Sequence, residues 1–281
     1  MRRAVVCVLR SATAALIALQ LGTEALAQRG RIESIELCNG KDRSSPDVQI
    51  DGCTEVLQSG SEMPVTLAIA HNNRGNAYTA KQEYDHAIQD YDEAIKLSSD
   101  YAPAFNNRGV AYLKRREYDR ALQDFDQAIK LNPKSAGVFA NRAEAYQGKR
   151  DYDRAIRDYG EAIRLQPTLD SLWNARCWNR AIVGELQAAL ADCNEALRLQ
   201  PNAAAAFDSR GLTYLKLGQW DPAIADYDSA LRLNPTLAIS LYARGFAKIK
   251  KSDKIGGDAD MAAAKAIRPD VVEEFARYRA P

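Results

Sequence analysis

A register of 34 residues, kept without insertion or deletion, constrains this chain more than any other feature. Steps of that length from Gly109 reach Gly75, Ala143, Cys177, Gly211 and Gly245. From Pro133 they reach Ser99, Pro167, Pro201, Pro235 and Pro269, and from Ala128 they reach Ala94, Ala162, Ala196, Ala230 and Ala264. Within one unit, Ala102 to Ser135, the residues Phe105, Arg108, Gly109 and Tyr112 fall at i, i+3, i+4 and i+7, one face of a helix. Ala121, Phe125 and Ala128 mark the face of a second helix, which Pro133 stops. Neither helix can bury its stripe alone, so the units must stack. The expectation is an all-α array of six helix-turn-helix units.

The 281 residues are 46% apolar and 27% charged, ordinary for a soluble globular chain. A formal net charge of +1 gives no reason to expect a nucleic-acid partner or an anionic membrane. Residues 1–27 read as a signal peptide. Arg2 and Arg3 precede an apolar run, Ser11 to Gly22, and Ala25-Leu26-Ala27 is an A-x-A cleavage site. The run is too short for a permanent membrane anchor. The expected location is therefore periplasmic or secreted. Beyond the leader four cysteines remain, an even number that fits disulfides in an exported chain. Proximity in sequence favours Cys38–Cys53 and Cys177–Cys193. For the second pair, two free buried cysteines stay open as an alternative.

Residues 28–67 are expected to form a cysteine-containing N-terminal cap. Its 28–41 stretch reads as partly extended or loosely helical. Ser44-Ser45-Pro46-Asp47 then starts a helix that runs to about Ser59 and ends at Gly60. The repeats follow at 68–101, 102–135, 136–169, 170–203, 204–237 and 238–271. In the last of them Gly256-Gly257 is expected to interrupt the start of the second helix. Residues 272–281 read as a C-terminal capping helix, with Val271, Phe275 and Tyr278 along one face.

The period and its markers resemble the tetratricopeptide repeat family. His71, Phe105, Phe139, Trp173, Phe207 and Leu241 fill the fourth position, and the small residues Gly75, Gly109, Ala143, Cys177, Gly211 and Gly245 the eighth. Ala87, Ala121, Ala155, Ala189 and Ala223, with Tyr91, Phe125, Tyr159 and Tyr227, stand where the family packs its second helix. The wording of the central repeats is similar to that of exported bacterial members. The resemblance implies a right-handed superhelical solenoid of six repeats with N- and C-terminal capping helices. One departure recurs in every copy. The seventh position is Arg74, Arg108, Arg142, Arg176, Arg210 and Arg244, and the second helices carry Asp90, Asp124, Asp158, Asp192, Asp226 and Asp260. An arginine row for an anionic ligand would not bring its own aspartates, so a structural ion-pair ladder is the expected reading.

In the family, the first helices line a concave groove that holds peptide segments. The matching positions here include Asn72, Asn76, Asn106, Val110 and Lys114 at one end, and Asn174, Trp178, Leu212, Tyr242 and Phe246 at the other. The first end is polar and rich in asparagine, whose amide both donates and accepts. The second offers aromatic anchors, with packing of these apolar positions against the C-terminal helix or the adjacent repeat left open as the alternative. Asn72, Ala140 and Glu144 stand where a carboxylate clamp needs basic residues. Only His71 and His86 are present, and no hydrolase, zinc or phosphate-binding motif occurs. No catalytic residue, metal or cofactor is expected. The leading expectation is a non-catalytic scaffold or adaptor that binds other proteins in its groove. The first alternative is a structural, self-assembling component of a cell-envelope complex. An enzyme or glycan-binding protein ranks below both.

Overall fold

The computed structural model describes residues 28–41, 45–60 and 62–279, and the expected leader, 1–27, lies outside them. The described residues hold helices and turns and no strand. They divide into two units, one through Glu117 and one from Tyr118.

The first unit begins with α1 (28–38) and α2 (Pro46–Gln58). The 28–41 stretch is thus largely a regular helix rather than extended chain. Ser34 and Cys38, one turn apart, face α2 and are buried. The helices approach closely at Gly52, where a Cβ would stand 2.7 Å from Cβ of Leu37. Cys38 and Cys53 form a disulfide at a Cα separation of 4.4 Å. Ser45 caps α2 by accepting from Val48 N, and Pro46 occupies its first turn, where a missing N–H costs nothing. Gly60, at φ 66°, follows the helix. α3 (Pro64–Ala80), α4 (Tyr84–Leu97) and α5 (Ala102–Lys114) complete the unit. α3 starts on its own proline, inside the stretch read as cap.

The second unit alternates first and second helices of the repeats: α6 (Tyr118–Leu131), α7 (Ala136–Gly148), α8 (Tyr152–Leu165), α9 (Asp170–Val183), α10 (Leu186–Leu199), α11 (Ala204–Lys216), α12 (Trp220–Leu233), α13 (Ala238–Lys250) and α14 (Lys254–Ile267). The short α15 (Val271–Arg279) ends the described chain. Small residues let the paired helices touch. Ala155, Ala189 and Ala223 have no exposed surface. A Cβ at Gly211 would meet the Tyr227 ring at 2.9 Å. α13 and α14 meet backbone to backbone, where a Cβ on Gly257 would stand 2.7 Å from the Gly245 carbonyl oxygen. This accounts for the unbroken helix through Gly256-Gly257, where an interruption was expected. Asp253 caps its start by accepting from Gly256 N, and the absent side chain at Gly257 is what close packing needs.

Candidate partner groove

The ladder arginines sit on first helices, and Arg74, Arg142, Arg176, Arg210 and Arg244 turn their guanidiniums toward the second helix of their own repeat. Arg74 donates from Nε and Nη2 to Asp90, both at 2.8 Å, and from Nη1 to Thr54 at 3.0 Å. In the second unit the same fork joins Arg142 to Asp158, Arg176 to Asp192, Arg210 to Asp226 and Arg244 to Asp260, at 2.7–2.8 Å. Asp124 is the corresponding buried carboxylate of α6. The remaining Nη1 reaches back to the preceding second helix. Arg108 meets Asp92 at 2.5 Å, and Arg142, Arg210 and Arg244 meet Asp126, Asn194 and Asp228 at 2.7 Å. These second acceptors were not anticipated, although their signal is legible: each stands two residues after the ladder aspartate. Aromatic residues three positions earlier lie under the guanidiniums, 5.7 Å for Phe105 and 5.1 Å for Trp173. These arginine donors are thus committed to the chain's own carboxylates, with the Thr54 hydroxyl and the Asn194 amide oxygen as the two other acceptors.

The third repeat breaks the pattern. Gly160 stands where Asp126 and Asp228 stand, and a Cβ there would lie in open contact, 3.5 Å from Nη1 of Arg176. Gly160→Asp is expected to raise stability by about 1 kcal/mol, from a glycine removed within a helix and a carboxylate supplied to Arg176. Urea unfolding checks this, and a variant less stable than the parent would refute the proposed bridge.

His71 Nδ1 lies 2.8 Å from Asp90, so the most acid–base-like pair in the chain belongs to the ladder. Burial raises the Asp90 pKa, but bonds from Arg74 and His71 outweigh it and hold the carboxyl below its usual value. The open cleft beside them, about 480 Å³, is lined by His71, Arg74, Tyr78, His86 and neighbouring polar residues, without a serine, threonine or cysteine nucleophile. Among the described residues no cluster of three or more metal-type ligands occurs, and no helix is long and apolar enough to cross a membrane.

At the asparagine-rich end, the amides bind one another. Asn107 Nδ2 donates to Asn72 Oδ1 at 3.0 Å and to Asn76 Oδ1 at 2.9 Å. Tyr91 Oη donates to Asn76 at 2.8 Å, Asn73 reaches Asn39 at 3.0 Å, and Asn106 Nδ2 reaches Asn107 at 3.0 Å. Asn72 is only 4% exposed. The expectation that Asn72 faces a ligand is therefore revised, while Asn76 stays exposed with its Oδ1 engaged by Asn107 and Tyr91. An amide is complementary to another amide, and successive first helices bring these side chains together. Val110, half-buried, and Lys114, exposed, remain on the same helix face of α5.

At the aromatic end, where two readings were left open, the surface is covered by the C-terminal helix. α15 lies across the first helices of its unit. Phe275 packs on Tyr242 and Phe246, with ring centroids 5.1 and 5.6 Å apart. Tyr278 meets Trp178 edge-on at 5.4 Å. Leu212 lines the space beneath, with Trp178 and Phe275. Trp178, Leu212, Tyr242 and Phe246 are thus brought together, but under the chain's own terminus. Asn174 stands one turn before Trp178, its Oδ1 buried without a hydrogen-bond donor. Cys177 and Cys193, both fully buried, form a disulfide at a Cα separation of 5.4 Å. It joins α9 to α10 where Gly211 and Tyr227 meet in the next repeat.

Family models of the tetratricopeptide repeat match residues 75–115, 211–252, 102–135 and 136–169. No curated protein sequence matches the chain. Among solved structures, a tetratricopeptide repeat protein from Parabacteroides merdae is 16% identical, with 90% of this chain and 100% of that one covered and a TM-score of 0.68. PilW, a type IV pilus biogenesis factor, is 19% identical, covers 75% of this chain and 98% of its own, and has a TM-score of 0.67. YrrB, a tetratricopeptide protein with an unusual peptide-binding site, is 21% identical over 69% of this chain and 98% of its own, with a TM-score of 0.58. At these identities the likeness is one of fold.

Proposed function

The chain belongs to the tetratricopeptide repeat family, and from that premise we propose that it is a non-catalytic scaffold that binds segments of partner proteins on the concave face of its first helices. The observation that carries this reading is that one segment is already seated there. α15 places Phe275 and Tyr278 on aromatic side chains drawn from α9 and α13, so this face accepts an amphipathic helix. The description of YrrB as peptide-binding agrees with it. We place the protein in the cell envelope or outside the cell. Two disulfides fit an oxidising compartment, and the likeness to a pilus biogenesis factor points the same way.

Val110 and Lys114 carry the reading into the first unit. Val110→Arg combined with Lys114→Glu in the full chain is expected to weaken partner binding at least ~10-fold, since a charge in an apolar contact and a reversed charge each cost ~1 kcal/mol or more. Charge changes at Arg157 and Arg164, exposed on the second helix α8, are expected to leave binding unchanged. Equal losses from both sets would remove the concave face as the binding site.

A further inference from the structure

α15 fills its seat incompletely. Val271 and Phe275 are buried, yet a cavity of about 220 Å³ remains beneath the helix, lined by Trp178, Asp208, Leu212, Ile239, Ala243 and Glu274 among others. Side chains lining such a space lack partner atoms on one side and lose dispersion contacts. The polar groups are mismatched as well. Asp208 accepts a hydrogen bond from Ser240 Oγ, and α15 brings another acid, Glu274, into the same cavity. Burial pushes the Asp208 carboxyl up to about 6, the Ser240 bond opposes this, and the Glu274 charge adds to the rise. Arg268 and the Tyr278 hydroxyl both bond Glu274. The seat itself offers an acid, Asp208, and α15 answers it with a second carboxylate, Glu274. At nine residues α15 is also too short to be a stable helix by itself, so docking and helix formation are one event.

We infer that α15 is a replaceable occupant of this seat, and that the partner the seat fits is an amphipathic helix with aromatic residues at the spacing of Phe275 and Tyr278 and a basic or amide side chain where α15 carries Glu274. This rests on the function proposed above and names the chemistry of the partner. The aromatic spacing follows from the rings on α9 and α13 that any occupant must cover. The donor follows from the two carboxylates, Asp208 and Glu274, that face the same cavity. α15 holds the seat by tethering, since a segment joined to its site by Pro269 and Asp270 acts at millimolar effective concentration even when its fit is poor.

The test uses the full chain and two fluorescein-labelled peptides, residues 270–281 of this sequence and the same peptide carrying Glu274→Lys. Anisotropy reads binding, and hydrogen exchange over 271–279 reads whether α15 is docked. Phe275→Ala in the full chain is expected to speed that exchange and to strengthen binding of the lysine peptide at least ~10-fold over the unaltered chain, by freeing the seat. On the freed seat the lysine peptide is expected to bind ~10-fold more tightly than the natural one. Adding Asp208→Asn should bring the two peptides to within about twofold, because the amide keeps the Ser240 bond but loses the charge. Should Phe275→Ala unfold the unit, Tyr278→Ala, at the rim, loosens the same helix. Equal binding of the lysine peptide to freed and unaltered chains would overturn the inference, as would indifference to the lysine. Loss of partner binding on changing Val110 and Lys114 lies in the other unit and is read separately, so either idea can fail alone.

Discussion

Replacing Arg142 with alanine is expected to destabilise the second unit by about 3–5 kcal/mol, the cost of leaving a buried charge without its partner. Arg142 donates twice to Asp158 and once to Asp126, so one side chain ties α6, α7 and α8 together. The Asp158 side chain is 8% exposed, and without the guanidinium its carboxylate keeps the desolvation cost and loses the compensation. Asp126 is 55% exposed and returns to water at little cost. The guanidinium also covers the rings of Phe139 and Tyr146, so the truncation removes packing as well as charge. Arg142→Met together with Asp158→Leu is expected to recover most of the loss, because a buried ion pair replaced whole by apolar groups is often neutral. Urea unfolding of the single and double variants, with hydrogen exchange to locate the change in α7 and α8, checks both statements. A loss below about 1 kcal/mol for Arg142→Ala would mean that the ladder behaves as an exposed pair.

Opening the Cys177–Cys193 bridge is expected to cost about 3 kcal/mol in the chain-entropy account for a loop of this length. The separation of 16 residues matches the spacing of Gly211 and Tyr227, so the bridge replaces a packed aromatic ring by a covalent link. Cys177→Ser with Cys193→Ser places two hydroxyls among fully buried neighbours, and Cys177→Ala with Cys193→Ala leaves space with fewer polar atoms. The serine variant should therefore be the less stable of the two. The expected defect is local to α9 and α10, because stability in a repeat array is set by each repeat and its neighbours. It should appear as faster hydrogen exchange there. Unchanged exchange in both variants would show that the bridge adds nothing to the fold.

What could be read ahead of the structure follows from periodicity. Gly75, Gly211, Ala155 and Ala223 recur in register, and a small residue at the same place in every copy has one physical use, a close helix pair. Arg142 and Asp158 were legible for the same reason. Asp92, Asp126 and Asp228 share a register that Gly160 and Asn194 interrupt, and only the fork geometry shows what the third guanidinium donor reaches. Asn72 misled because an amide that can bind a peptide can equally bind the amide one repeat further on. The stripe of Val271, Phe275 and Tyr278 was visible, and cover of the apolar groove positions by that helix was one of two readings left open. A segment outside the repeat register carries no periodic signal for the surface that receives it, and packing alone decided in favour of Trp178, Tyr242 and Phe246.

Photo-crosslinking in the living cell from single positions on the full chain tests whether the first helices form the binding face. Val110 and Lys114 on α5 are to be compared with Arg157 and Arg164 on α8. The account predicts crosslinks to a defined partner segment from Val110 and Lys114, and none from Arg157 or Arg164. Crosslinks from α8 with none from α5 would contradict it.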